Sequence, residues 1–268
     1  MTKSYYLSTL ICLLALTLSS CTFTKAAEGT EANNKCSAHH YPGLEAALID
    51  KRVPQQIKQY EGFTVNFNAS NRTPNYVAWE LLGSECSGEH TRGNNFWRDE
   101  SIKNCPSTKD YTRSGYDRGH MYPAADAKWS SASMEQCFTM ANICPQKHVL
   151  NGGAWKTLEE KERIWARRDS ALVIIAGPIY QPTDNLRIGD AGVRVPSGFF
   201  KAIIAPYINE PRGIAFVYPN DRAPGNMQLY AMSIDDLEEI TGYDFFHALP
   251  DDLEHSIEST YSFRIWNR

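Results

Sequence analysis

The chain has no Cys-x-x-Cys pair and no His-Glu-x-x-His stretch, so a zinc centre is not expected. It has no Gly-rich phosphate loop and no βαβ period, which excludes the common nucleotide-binding architectures. No internal repeat and no low-complexity tract interrupts its main body. Positive charge is also in short supply, with 27 Lys and Arg against 31 Asp and Glu, a net of −4. A static nucleic-acid binder draws most of its affinity from counterion release and wants a broad basic face, whereas an enzyme needs only a local positive cleft.

What is present begins at the amino end. Lys3 followed by an apolar run over 5–18 reads as an export signal, too short for a membrane span. The run ends in Leu18-Ser19-Ser20-Cys21, which resembles a bacterial lipobox. The expectation is therefore a signal over 1–20, a lipid on Cys21, a polar tether over 21–35 and one domain over 36–268. That places the protein outside the cytoplasm, anchored to a bacterial membrane through its lipid. Such a compartment permits disulfides. Cys86 with Cys105 and Cys137 with Cys144 are the expected pairs, leaving Cys36 over.

Strand-like runs fall at 63–67, 76–82, 172–177, 199–205 and 213–218, rich in β-branched and aromatic residues and bounded by Gly, Pro or Asn. Helical patterning covers 151–168, with Ala154, Leu158, Ile164 and Trp165 toward a core and charges elsewhere. Those charges include Lys156, Lys161, Arg163, Arg167 and Arg168, offset by Glu159, Glu160 and Glu162, the usual look of a solvated face. A short helix capped by Ser233 ends at Gly242, and another spans 250–258. Elements alternate irregularly, so the fold class is α+β with a mostly antiparallel central sheet flanked by helices. The stretch 111–142 is poor in both periodicities, as functional loops often are.

Within and after that stretch stand Asp117-Arg118-Gly119-His120, then Asn142 before Ile143-Cys144-Pro145-Gln146, then Asn151-Gly152-Gly153-Ala154-Trp155 with Glu159 on the following helix. Val195-Pro196 with Phe199-Phe200-Lys201, and the run from Leu237 through Thr241-Gly242-Tyr243-Asp244 to Phe246, add to the pattern. Together these resemble the DNA/RNA non-specific endonucleases over residues 63–263. The resemblance implies a ββα-metal finger of the His-Asn-Asn type and hydrolysis of DNA and RNA with one Mg2+, Mn2+ substituting. It leaves a homodimer open.

Phosphodiester cleavage needs an in-line nucleophile, neutralised phosphoryl oxygens and help for the departing alkoxide. His120 suits the base, because a neutral imidazole exists near neutrality. Gly119 would let backbone or phosphate approach closely. Asn151 is the metal candidate, and equally a helix N-cap. The resemblance makes it the direct protein ligand, a neutral amide that magnesium accepts beside phosphate and water. Steps of four along the helix bring Trp155, Glu159 and Arg163 round one broad face. Glu159 could hold a water of the metal, and Arg163 could fix Glu159 by a charge pair. Trp155 reads as core.

By resemblance, Asn142 ties the loop across and keeps the histidine's surroundings, and Arg92 contacts the phosphate. Arg98 in Trp97-Arg98-Asp99-Glu100 is a rival for that contact, and Arg118 adjoins the base. Asp117 anchors the loop. The other readings are a lipoprotein that captures nucleic acid without cutting it, and a metal phosphodiesterase for a small substrate, which would want a closed apolar pocket.

Overall fold

The structure is a computed structural model that describes residues 41–268. The expected signal, Cys21, the tether and Cys36 lie outside the described residues. Seven antiparallel strands form the central sheet, in the spatial order Ala231–Met232, Arg212–Pro219, Gly198–Ala205, Ala171–Ile179, Thr73–Leu82, Phe63–Asn68 and Gln56–Tyr60. The three central strands are buried along almost their whole length, so both sheet faces are covered. That is why they appear in the sequence as continuous apolar runs rather than alternating ones.

Alternate residues feed two cores. Trp79, Leu172, Ile174, Phe199 and Phe216 point to one face, where they meet Trp155, Leu158 and Trp165 of the long helix. Ala78, Val173, Ile175, Phe200 and Ala215 point to the other, packing against Ile234, Leu237, Phe245 and Ile257. Each fully buried Phe or Leu contributes roughly 1.5–3 kcal/mol by leaving water. The edge strand Gln56–Tyr60 was not expected from sequence, since its Ile57 faces solvent and its pattern is polar.

The helix Ile234–Thr241 forms as its sequence predicts. Ser233 Oγ accepts from the Asp236 amide, Asp236 answers the Ser233 amide, and Gly242 at φ 69° takes the left-handed position that ends it. The helix Asp251–Glu258 follows Pro250. The long helix differs from expectation. Residues Leu150–Trp155 make a wide π-type turn kinked at Gly153, where φ is −110° and ψ −115°, and the regular helix runs from Lys156–Asp169. Ile164 is half exposed rather than core. Across the irregular stretch, Asp117–His120 and Ile143–Gln146 form a two-stranded hairpin outside the main sheet, and Ser131–Gln136 is a short helix.

The expected disulfides do not form. Cys86, Cys105, Cys137 and Cys144 are free and buried. Cys86 Sγ donates to the Leu82 carbonyl and Cys137 Sγ to that of Met134, so each thiol is satisfied within its own segment. Burial pushes the Cys137 thiol up to about 12 and Cys86 and Cys105 up to about 11, which keeps them inert.

Candidate active site

Two short strands and a wide turn assemble the site. In the hairpin, Asp117 pairs with Gln146 and His120 with Ile143. The turn at Leu150–Trp155 then returns Asn151 to Asp117, whose Oδ2 accepts from Asn151 Nδ2 at 2.9 Å. The same oxygen lies 2.8 Å from Nδ1 of the exposed His148. Asn151 is therefore no N-cap. Its amide nitrogen is spoken for, which leaves Oδ1 as its free end. The hairpin is tight at Gly119, where a Cβ would lie 2.3 Å from Gln146 Oε1 and 2.6 Å from Gln146 Cβ. What the glycine admits is thus the cross-strand Gln146 side chain, not the backbone or phosphate expected from sequence.

Asn142 closes the loop that leads from one strand to the other. Its Nδ2 donates to the Tyr122 carbonyl at 2.9 Å and the Cys137 carbonyl at 2.8 Å, while its Oδ1 accepts from the Tyr122 amide at 2.8 Å. Fully buried, the amide has its main hydrogen-bonding capacity satisfied by that loop. It fixes the backbone immediately after His120.

His120 sits at the strand end between two rings, its centroid 5.3 Å from that of Phe96 and 5.0 Å from that of Phe138. Trp155 Nε1 donates to the His120 carbonyl at 3.3 Å, locking the start of the long helix to the hairpin. His120 Nε2 is buried and has no hydrogen-bond partner among the described residues. Buried polar atoms are nearly always paired, so an orphan on a histidine marks a place where something else binds. Burial, and after it the charge of Arg92, holds the imidazole down to about 3. The ring is neutral, with a lone pair available.

Two guanidiniums share the same aromatic support. Arg92 Cζ lies 5.9 Å over the Phe138 ring and Arg118 Cζ 4.9 Å over the Phe96 ring. Arg98, the rival, pairs with Glu100 at 3.4 Å on the exposed surface. Phe96, Tyr111, Tyr116, Asp117, Arg118 and Asn151 line an open cleft of about 310 Å³.

Beneath the site lies a layer of buried charge that sequence reasoning missed. Arg163 Nη1 pairs with Asp126 Oδ1 at 2.8 Å, not with Glu159 as expected. Lys201 Nζ pairs with Glu162 Oε2 at 2.7 Å, both fully buried, and lies 4.7 Å from the Trp155 ring centroid. Asp126 also accepts from Trp79 Nε1 at 3.3 Å. Glu159, half-buried beside these groups, is pushed up to about 7 by burial, with Glu162 and Asp126 adding to the rise and Lys201 and Arg163 opposing it. One signal was legible in advance: a lysine inside Phe199-Phe200-Lys201-Ala202-Ile203 must be buried on a strand and so must be paired. The remaining basic residues of the helix serve structure. Lys156 faces Glu160 at 3.8 Å, Lys161 Nζ reaches Asn267, Arg167 caps the Cys86 carbonyl and Arg168 pairs with Asp169.

The profile of one family, described as "DNA/RNA non-specific endonuclease", matches residues 45–252. The chain belongs to that family. This endonuclease-family chain is 32% identical over 230 residues to the mitochondrial Nuclease 1 of Schizosaccharomyces pombe, covering 78% of the chain and 69% of the relative. It is 32% identical over 231 residues to the mitochondrial nuclease EXOG of Mus musculus, covering 78% of the chain and 63% of the relative. The chain thus spans less than two thirds of the mouse protein. A solved structure of EndoG in complex with EndoGI superposes with a TM-score of 0.68 at 25% identity, over 74% of this chain and 88% of that one.

The relatives correct the expected location. Both are mitochondrial nucleases, and neither supports an exported lipoprotein anchored to a bacterial membrane through Cys21. Short apolar leaders and small residues before a cysteine are too generic to carry that assignment. Among the described residues, no helix is long and apolar enough to cross a membrane.

Proposed function

We propose that this chain hydrolyses phosphodiester bonds in DNA and RNA without sequence preference, with His120 as general base and a magnesium ion held through Asn151. The observation that carries the reading is the buried Nε2 of a neutral His120 beside Arg92, without a partner among the described residues. The residues fit a hard cation, because Asp117 engages the Asn151 nitrogen and leaves the amide oxygen, the ligand type magnesium takes, at its free end. When bound, the ion would supply positive charge to the scissile phosphate and the departing oxygen.

The chain's own groups do the rest. His120 Nε2 takes a proton from water as the water oxygen bonds to phosphorus and the bond to the leaving alkoxide breaks. The departing oxygen takes a proton from solvent water, and His120 releases the one it accepted to solvent before the next turnover. Substrate phosphate offsets the charge of Arg92, which raises the imidazole's basicity when it is needed. Arg92 and Arg118 neutralise the phosphoryl oxygens from their seats on Phe138 and Phe96. Asn142 and Asp117 orient. Glu159, titrating near neutrality, contributes to the charge balance under the site, and Arg163 fixes that layer through Asp126.

Phosphate contacts without a groove-reading helix favour substrates of many sequences. The cleft is open rather than a closed apolar pocket and carries Arg118, which speaks against a small-substrate phosphodiesterase. The test is digestion of plasmid, single-stranded DNA and RNA with and without magnesium. Magnesium-dependent loss of all three is expected. Cleavage only of a small phosphodiester, or of none, would overturn the reading.

A further inference from the structure

On the opposite sheet face, carboxylates gather where the helices Ile234–Thr241 and Asp251–Glu258 pack together. Asp235, Glu238 and Glu258 each bring a carboxylate oxygen to within 4.8 Å of the other two. Asp244 and Glu254 stand close enough to act on the same group. As it stands the arrangement is unfavourable. Glu258 is only 4% exposed, its Oε1 is buried without a hydrogen-bond partner among the described residues, and it closes a helix whose carboxyl end already carries negative partial charge.

Around Glu258 stand Glu238, Glu254, Asp235 and Asp244. The groups acting most strongly on Glu258 are thus all acidic, while His247 opposes them at Glu254. A buried carboxyl without a partner either keeps its proton or is relieved by a metal ion or a paired cation.

The donor set says which ion. All three donors are hard oxygens. Glu238 spends Oε1 on the Phe245 amide at 2.7 Å, which leaves its second oxygen. Ligands on opposite sides of a calcium ion lie about 4.6–5.2 Å apart, twice the usual calcium–oxygen distance, and calcium tolerates irregular carboxylate-rich shells where magnesium demands an octahedron and keeps its waters. We propose that Asp235, Glu238 and Glu258 bind a calcium-class divalent cation that clamps these two helices together, apart from the cation held through Asn151.

The test is thermal unfolding of the full chain in chelator and in millimolar calcium, for the wild type, Asn151→Ala, Glu258→Gln and Glu238→Gln. Calcium should raise the Tm of the wild type and of Asn151→Ala by the same several degrees. Glu258→Gln should lose that gain yet hold about wild-type stability in chelator, because an uncharged amide replaces a carboxyl that keeps its proton when no ion is bound. Glu238→Gln reads out the same loss should the first variant fold poorly. Equilibrium dialysis should count one calcium ion on Asn151→Ala and none once Glu258→Gln is added. No calcium gain in the wild type, or an equal gain in Glu258→Gln and Glu238→Gln, would overturn the site. Both readouts are independent of nuclease activity, so failure of one proposal leaves the other standing.

Discussion

Asn151 and Asp117 are joined by a 2.9 Å hydrogen bond that links the wide turn to the first residue of the strand carrying His120. The bond dictates which end of the Asn151 amide is free. Removing the acceptor with Asp117→Ala should raise the magnesium concentration for half-maximal cleavage by about 10–100-fold, the usual effect of losing a ligand's own partner. Asp117→Asn keeps an acceptor and should fall between. A magnesium titration checks both, and an unchanged requirement in Asp117→Ala would separate Asn151 from the metal.

His120 gives a pH signature. Its folded value lies near 3 against an ordinary 6.5, because burial and Arg92 disfavour the charged ring. The unfolded chain therefore binds the proton first. Stability from this group is full above 6.5 and is lost as pH falls toward 3, by about 2 kcal/mol between pH 7 and pH 5. His120→Gln removes the linkage, so the wild type should lose that amount relative to the variant in denaturant melts at the two pH values. A flat difference would mean the ring is not held neutral.

The Lys201–Glu162 pair is predicted to show strong non-additivity. Lys201→Met strands Glu162 in the core, at a cost of about 3–5 kcal/mol. Adding Glu162→Leu should restore much of that loss, since two apolar side chains need no partner. Urea melts of the single and double variants decide it. Additive losses would show that the two charges do not depend on each other.

Arg92 and Arg98 should part company in kinetics. Arg92→Ala is expected to lower kcat/KM by about 100-fold, as for loss of one donor to a developing charge, and to flatten the salt dependence. Arg98→Ala, whose partner is Glu100 on the exposed surface, should stay within about twofold. Equal losses in the two variants would remove the distinction drawn from their positions.

The central strands were legible because burial on both faces leaves continuous β-branched and aromatic runs, as in Ala171–Ile179. Ser233 and Gly242 bounded their helix through local chemistry that any sequence displays. The finger hairpin was expected from the family resemblance and not from strand patterning, since Asp117–His120 and Ile143–Gln146 are four residues each and pair only through distant sequence. The kink at Gly153 also escaped, because a glycine pair before a helix signals a start without saying which backbone turn precedes it. Arg163 looked paired with Glu159 by spacing, yet Asp126 reaches it from 37 positions away, and non-local ion pairs leave no periodic trace. Cysteine spacing misled for the same reason: it counts thiols but says nothing of where they point.

The most direct test is plasmid and RNA cleavage by His120→Ala at saturating magnesium, with folding verified by its unfolding transition. The account predicts a loss of at least about 100-fold on both substrates, the ordinary contribution of a general base. A folded His120→Ala that retains a tenth of wild-type cleavage would contradict it.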